Sequence, residues 1–202
     1  MAYICLYYGE IKQYEINWFK LGFFFRFCGP FGIDFGMSLE QIRRLSKTSP
    51  ENMDDDWYII TPPNTNEMFE MYLVQIHPVY GVYFIKAIGK DISSNVQGTA
   101  LRARFDDLVF SIERNYGKYK KDDSFVRGSY WGDKPDYYMF ALSRDERTLM
   151  AYWETREGSK LPPEILAIIV AAKATSSSSC YLVLEYYSIN YLKVEAEQES
   201  VF

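Results

Sequence analysis

The strongest constraint on the fold is a stretch between Trp57 and Ile88 in which apolar residues recur with a period of two. Three runs share this pattern, at residues 57–61, 68–76 and 79–88, and they are separated by Pro62-Pro63-Asn64 and by His77-Pro78. Such a period is typical of strands with one buried face, and short breaks with proline are typical of turns. The sequence therefore predicts an antiparallel meander. The aromatic content of 18% also favours sheet, because aromatic side chains pack well on pleated surfaces.

Three segments are predicted to be helical. Ser38 and Gln41 have the spacing of a capping box, with Met37 and Ile42 placed to form a hydrophobic staple, so a first helix should begin here. Residues 98–117 carry apolar side chains at steps of three and four and end in Gly117, which predicts a long amphipathic helix. A third, almost entirely apolar helix is predicted at 164–174, because two prolines directly precede it.

The rest of the chain is assigned to strands, loops and a tail. Strands are predicted at residues 3–8 and 16–27, in a hairpin formed by 137–142 and 148–153, and at 180–191; polar loops are predicted at 47–56 and 118–124. A length of 202 residues suits one domain, and no long linker divides it. We therefore expect a single α+β domain over residues 1–202, with an antiparallel meander packed against two or three helices and a frayed acidic tail at 195–202.

Charge and cysteine content restrict the partners and the compartment. The net charge of −5 opposes binding to phosphate backbones, so we expect no nucleic-acid partner, and it suits a basic protein. Three cysteines far apart in sequence predict reduced thiols and a cytoplasmic protein. The apolar segment 16–28 is too short to span a bilayer, and Lys20 and Arg26 interrupt it, so we expect no signal peptide. The alternative is an interfacial segment that places Trp18 and residues 23–25 in lipid, but membrane anchors carry far more Lys and Arg beside the apolar face, so we expect no membrane partner.

The sequence lacks the motifs of catalytic, metal and cofactor sites. His77 is the only histidine, and its Ile-His-Pro-Val-Tyr-Gly context predicts a hairpin corner instead of a member of a triad or a zinc site. The carboxylates at 54–56 and 106–107 are consecutive, so they do not have the spacing of a calcium loop or of an acid and base pair. No glycine pattern of a phosphate-binding loop occurs. We expect no enzymatic activity, no metal and no cofactor.

Two kinds of residue are candidates for contacting a protein partner. Tyr130 and Trp131 stand in a predicted loop among charged residues, and Tyr and Trp are enriched at interface hot spots. The acidic clusters suit a basic partner, which gives as further candidates Asp54, Asp55, Asp56, Asp106 and Asp107.

Two motifs carry a resemblance to a known class of proteins. The segments PFGIDFGMSLEQIRRL at 30–45 and LVFSIERNYGK at 108–118 resemble those of small bacterial α+β proteins, in particular immunity proteins that neutralise toxins of contact-dependent inhibition and related secretion systems. The two segments cover 27 of the 202 residues. The resemblance implies a binding protein and supplies no catalytic residue.

The leading functional hypothesis is therefore a non-enzymatic cytoplasmic immunity protein that binds a basic toxin through an acidic, Tyr-rich surface. The first alternative is a ligand-binding module in which the meander and the third helix enclose an apolar pocket for a lipid or an aromatic molecule. The second alternative is an enzyme that uses His77 or a pair of carboxylates.

Overall fold

The structure, a computed structural model, describes residues 29–131, 134–155 and 158–199. The four helices of these ranges are α1 Leu39–Leu45, α2 Thr99–Tyr116, α3 Tyr138–Ser143 and α4 Ile189–Glu199. The strands are β1 Glu51–Asp54, β2 Trp57–Ile60, β3 Phe69–His77, β4 Gly81–Gly89, β5 Ile92–Ser93, β6 Lys120–Phe125, β7 Arg147–Glu154, β8 Ile165–Ala174 and β9 Ser179–Ser188. The strands predicted at 3–8 and 16–27 lie outside the described residues.

All nine strands of the described ranges belong to one antiparallel sheet. Eight of them follow the order β1-β2-β3-β4-β9-β8-β7-β6, and β5 pairs with β9. Each half of this order is a helix followed by a four-strand meander, α1 with β1–β4 and α2 with β6–β9, and α3 is inserted after β6. The two halves join through their last strands, where Phe84 lies opposite Tyr187 and Ile88 opposite Val183. The prediction of an α+β domain with an antiparallel meander is confirmed.

The main core lies on the face of the sheet that packs against α1, α2 and α3, here called the front face. Every third or fourth residue of α2 is buried, and the fully buried Phe105 packs in one cluster with Ile168, Val170 and Trp153 of the sheet. Burial of one such side chain stabilises the fold by about 1.5–3 kcal/mol. The sequence period that predicted α2 therefore marks the helix face that packs against the sheet.

The turn before α1 is fixed to the start of β4. The predicted capping box is present, because the Ser38 hydroxyl accepts the Gln41 N–H at 3.4 Å and the Gln41 side chain accepts the Ser38 N–H at 2.8 Å. Two backbone hydrogen bonds of 2.8 Å join Gly36 and Met37 to Val82. Gly81 has a φ of +66°, and a Cβ there would lie 2.2 Å from the Gly36 carbonyl oxygen, so only glycine allows this close approach.

A bulge in β4 builds a second, smaller core on the opposite face, here called the back face. Gln75 lies opposite Phe84 and Ile76 opposite Val82, which leaves Tyr83 as the extra residue. Because of the bulge, the consecutive residues Tyr83 and Phe84 both pack on the back face, in a cluster with Val194 of α4. In the ranges that the structure describes, this is where α4 covers the sheet.

Two apolar segments were assigned to the wrong kind of element. The segment 164–174, predicted as a helix, is strand β8, because its β-branched residues lie between β7 and β9 with alternate side chains in the main core. Residues 137–142, predicted as a strand, form a turn of 3₁₀ helix followed by α3, where Pro135 occupies the first turn. Short apolar runs do not distinguish strand from helix by period alone.

Two polar segments predicted as loops are edge strands. Residues 51–54 form β1 within the loop predicted at 47–56, and residues 120–125 form β6 where a linker was predicted at 118–124. Neither strand has a buried face, so neither carries an apolar period. The strand predicted at 180–191 ends at Ser188, and α4 follows it through Glu199, so the first five residues of the predicted tail at 195–202 are helical.

Candidate partner-binding surface

Four aromatic side chains around α3 form an exposed surface, here called the aromatic surface: Tyr130, Trp131, Tyr137 and Phe140. The Trp131 ring is its centre, with ring centroids 4.5 Å from Tyr130, 4.5 Å from Tyr137 and 5.6 Å from Phe140. Three of the four side chains remain open to solvent, with exposed fractions of 67% for Tyr130, 42% for Tyr137 and 37% for Phe140. A group of clustered, exposed aromatic rings is the composition that protein interfaces favour.

The loop that carries Tyr130 and Trp131 is held by polar contacts. The Ser129 hydroxyl donates to the Glu146 carboxylate at 2.6 Å and accepts the Trp131 N–H at 3.3 Å. The Lys134 N–H donates to the Trp131 carbonyl at 3.1 Å, and the Lys134 ammonium lies 3.3 Å from the centre of the Tyr130 ring. These contacts restrain the Trp131 backbone and the Tyr130 ring before any partner binds, which lowers the entropy that binding must remove.

The acidic tip of the β1–β2 hairpin contains two different environments. Asp54 and Asp55 are exposed, and Asp55 occupies the turn with a φ of +26°. Asp56 instead points inward, where its carboxylate accepts hydrogen bonds from the Tyr83 hydroxyl and, at 3.2 Å, from the Gln75 side chain. Burial and this neighbouring carboxylate raise the pKa of Tyr83. Asp56 therefore serves the fold, and Asp54 and Asp55 are the tip residues open to a partner.

The second acidic pair lies on the outer side of α2. The Asp106 carboxylate is 2.9 Å from the ammonium of Lys121 on β6, and both side chains are exposed. Asp107 is exposed as well, and its backbone carbonyl accepts the Ser111 hydroxyl. An exposed ion pair of this kind contributes at most about 1 kcal/mol. Asp106 can therefore exchange Lys121 for a cationic side chain of a partner.

The structure does not bring the predicted residues into one surface. The hairpin tip that carries Asp54 and Asp55 belongs to β1 and β2 at one edge of the sheet, whereas Tyr130 and Trp131 follow β6 at the other edge. Seven strand spacings separate these edges, about 34 Å at roughly 4.8 Å per strand. Asp106 lies nearer the aromatic surface, because it pairs with β6. The hairpin tip and the aromatic surface therefore lie at opposite edges of the sheet.

Sequence reasoning did not find half of the aromatic surface. Tyr137 and Phe140 are three residues apart, and the helical turn at α3 brings both rings to Trp131. In the predicted strand over 137–142 these two side chains would have pointed to opposite faces. Pro135, which favours the first turn of a helix, was the signal for the correct element.

His77 occupies a hairpin corner, as predicted. Its Nδ1 accepts the backbone N–H groups of Val79 at 3.2 Å and Tyr80 at 3.4 Å, and its ring stacks on Tyr80. Its Nε2 lies 3.6 Å from the Glu197 carboxylate. The histidine thus joins the β3–β4 turn to α4. Among the described residues, no group of three His, Cys, Asp or Glu side chains could hold a metal ion.

Two clefts are relevant to the ligand-binding alternative. One has a volume of about 210 Å³ and lies between Gly29, Tyr116 and Glu164, and the other has about 350 Å³ and lies between Glu67, Lys90 and Arg104. Charged side chains line both of them. The segment that was expected to close an apolar pocket as a helix, 164–174, is instead a central strand of the sheet.

The comparisons with known proteins and the search for membrane spans give two findings. Within the described ranges, no helix combines the length and apolar character needed to cross a membrane. The chain matches no protein-family model, no curated protein and no solved structure.

Proposed function

We propose that this chain is a non-enzymatic binding protein, most concretely an immunity protein that neutralises a bacterial toxin by forming a stoichiometric complex with it. The observation that carries the proposal is the aromatic surface, where Trp131 stands at the centre of three exposed rings. Interface hot spots have this form, with a central Trp or Tyr surrounded by groups that exclude water.

The charge of the chain supports a basic partner. The net charge is −5. Among the acidic candidates, Asp106 and Asp107 on α2 lie nearest to the aromatic surface, and their carboxylates are exposed. Complementary charge raises the rate at which partners meet and opposes incorrect ones. A toxin that acts on nucleic acid carries Lys and Arg in its groove and so fits this description.

The first test is recovery of the partner. The tagged protein is used to capture its partner from its own cells and from cells that also express the product of the gene directly upstream. The proposal predicts one basic protein in equimolar amount, and addition of the chain should abolish that protein's toxic activity. Intact protein that captures nothing and protects no cell would contradict the proposal and would favour the ligand-binding alternative.

The second test locates the interface. We expect Trp131→Ala to abolish recovery of the partner, whereas Phe110→Ala should not, although Phe110 is 62% exposed on α2. Phe110 is a matched control because it is a large exposed aromatic outside the aromatic surface. The double reversal Asp106→Lys with Asp107→Lys should slow association, and Asp54→Lys with Asp55→Lys, at the distant edge, should leave it unchanged. Equal effects of the two reversals would contradict this location.

A further inference from the structure

The aromatic surface already holds one cation. The Lys134 ammonium lies 3.3 Å from the centre of the Tyr130 ring and 5.5 Å from the centre of the Trp131 ring. Both distances fall within the range of about 6 Å over which the face of an aromatic ring attracts a positive charge. Tyr130 and Trp131 therefore bind one positive charge together, and this pair of rings is here called the two-ring site.

The rings of the two-ring site stand at right angles to each other. Their planes make an angle of 89°, and their centroids are 4.5 Å apart. Perpendicular rings in contact form a corner with a ring face on each side, so a cation in the corner is attracted by both rings. Tyr137 and Phe140 lie against the same tryptophan and extend the apolar surface beyond the corner. The site thus combines a place for a charged group with a surface for the aliphatic stem that carries it.

Lys134 is held differently from several other lysines of the chain. Lys86, Lys120 and Lys121 each place the ammonium within 3.0 Å of a carboxylate oxygen. In the described ranges Lys134 makes no such ion pair, and its ammonium contacts ring faces instead. A cation–π contact is weak at an exposed site, and Tyr130 is 67% exposed. Another cation can therefore replace Lys134 on the ring without breaking an ion pair.

The chemistry of the two-ring site favours an arginine or a lysine side chain as its ligand. Both side chains carry a cation at the end of an aliphatic stem, and the planar guanidinium of arginine stacks on aromatic faces and is weakly hydrated. The net charge of −5 attracts a partner that is rich in these residues. A neutral ligand would use the apolar surface but would gain nothing from the position that the Lys134 ammonium occupies.

We propose that the two-ring site binds an arginine or lysine side chain of the partner, and that Lys134 occupies the site until this side chain displaces it. The inference rests on the proposed function, because it assigns the group that the aromatic surface recognises. Lys134 is then an internal competitor, which covers the Tyr130 ring in the free protein and lowers the affinity for every external cation. Removing the Lys134 charge should therefore strengthen binding, and removing the ring should weaken it.

NMR of the free protein tests whether Lys134 occupies the site. The ring current of Tyr130 should shift the ε-methylene protons of Lys134 upfield, because the ammonium lies over the centre of that ring. In Tyr130→Leu these protons should return to the position of an exposed lysine, and Tyr130→Phe, which keeps the ring, should retain the shift. Tyr130 is exposed, so both variants keep the fold. Lys134 signals at the position of an exposed lysine in the wild type would overturn the role of Lys134 as a competitor.

Titration of the full chain with a hexa-arginine peptide at low salt tests recognition of the cation, with the Trp131 indole signal as the readout. Lys134→Gln should bind the peptide about two- to fivefold more tightly than the wild type, and Tyr130→Leu should bind it more weakly by a similar factor. In the Tyr130→Leu background, Lys134→Gln should give no further gain, because the ring for which the two cations compete is absent. This double-mutant cycle separates displacement from the ring from a general effect of charge.

Lys193→Gln is the matched control for the change in net charge. The Lys193 ammonium also lies near a tyrosine ring, 5.5 Å from the centre of Tyr80, but it belongs to α4, which follows β9. The aromatic surface precedes β7, and β7 runs in the same direction as β9, so the two lysines lie at opposite ends of these strands. We expect Lys193→Gln to leave the affinity for the peptide within about twofold of the wild type.

The peptide is independent of the captured partner, so this inference and the proposed function can fail separately. Equal affinity of the peptide for the wild type and Tyr130→Leu, or the same gain from Lys134→Gln in both backgrounds, overturns the inference. If Trp131→Ala still abolishes recovery of the partner, the proposed function stands and only the cationic ligand is wrong. The predicted peptide result together with a failure to recover any partner would retain the two-ring site as a cation site and reject the proposed function.

Discussion

The hydroxyl of Tyr83 donates a hydrogen bond to the carboxylate of Asp56 and so ties the bulge of β4 to the turn between β1 and β2. Tyr83 is 2% exposed, and the same carboxylate accepts a bond from Gln75. The contact joins three consecutive strands of the meander at one end. It also explains why Asp56 stabilises the fold, whereas the adjacent Asp54 and Asp55 are exposed.

Asp56→Ala is therefore expected to destabilise the fold. It leaves the buried Tyr83 hydroxyl without its acceptor, at a cost of about 1–3 kcal/mol. Denaturant unfolding measures the effect. Asp54→Ala, two residues earlier and exposed, should change the free energy of unfolding by less than about 0.5 kcal/mol. Equal effects of the two substitutions would show that the inward position of Asp56 is wrong.

Stability should decrease in strongly alkaline solution because of the buried tyrosines. Burial is the main cause that raises the pKa values of Tyr83, Tyr186 and Tyr187. The carboxylate of Asp56 raises the pKa of Tyr83 further, and that of Glu185 raises the pKa of Tyr187 further. The folded state thus holds its phenolic protons above pH 10, where the unfolded state releases them. The contribution of these tyrosines to the free energy of unfolding is complete below pH 10 and is lost as the pH rises through their pKa values in the folded state.

Absorbance of tyrosinate and unfolding by urea as a function of pH check this prediction. Tyr83→Phe should make the decrease above pH 10 shallower, whereas replacing the exposed Tyr130 by Phe should leave its slope unchanged. A free energy of unfolding that stays constant between pH 9 and the onset of alkaline unfolding would contradict the assignment.

Cys180 should be unreactive in the folded protein. Its thiol is buried and lies 3.2 Å from the Ile92 carbonyl, and burial, with a smaller effect of Asp91, raises the pKa of Cys180 to about 11. Since the thiolate is the reactive species, iodoacetamide at pH 8 should not modify the peptide that contains Cys180 until the protein is unfolded. Rapid modification of this peptide in native buffer would show that the end of β9 opens.

Gly81→Ala should destabilise the fold far more than Gly128→Ala. Both glycines have positive φ, so each alanine costs about 1–2 kcal/mol of backbone strain. At position 81 the new Cβ also meets the Gly36 carbonyl oxygen, whereas at position 128 nothing lies within 4 Å. Thermal unfolding of the two variants checks the difference. Equal loss at both positions would contradict the close contact between the α1 turn and β4.

Local signals in the sequence predicted the elements whose stabilisation is local. The Ser38 and Gln41 capping box, the long α2 ending at Gly117 and the hairpin corner at His77 all follow from short-range rules. Strands β2, β3 and β4 have a buried face, so their apolar residues recur with the expected period. These parts of the fold could be predicted.

The wrong assignments arise where tertiary contacts decide the structure. The run Ile168-Ile169-Val170 is apolar on consecutive positions, as buried helices and buried strands both can be. It is a strand because it pairs with β7 and β9, and these pairings are not encoded in the local sequence. The charged β6 is a strand only because it pairs with β7. The distance between Asp54 and Trp131 likewise depends on strand order, so sequence could select these residues but could not show that they lie on different edges.

The most direct test of the proposed function is calorimetric titration of the captured basic partner with the wild-type chain, with Trp131→Ala and with Phe110→Ala. A hot-spot residue contributes about 2 kcal/mol or more, so Trp131→Ala should weaken the complex by roughly 30-fold or more. Phe110→Ala should stay within about twofold of the wild type. Binding by the Trp131→Ala protein with unchanged affinity would contradict the claim that the aromatic surface is where this protein binds its partner.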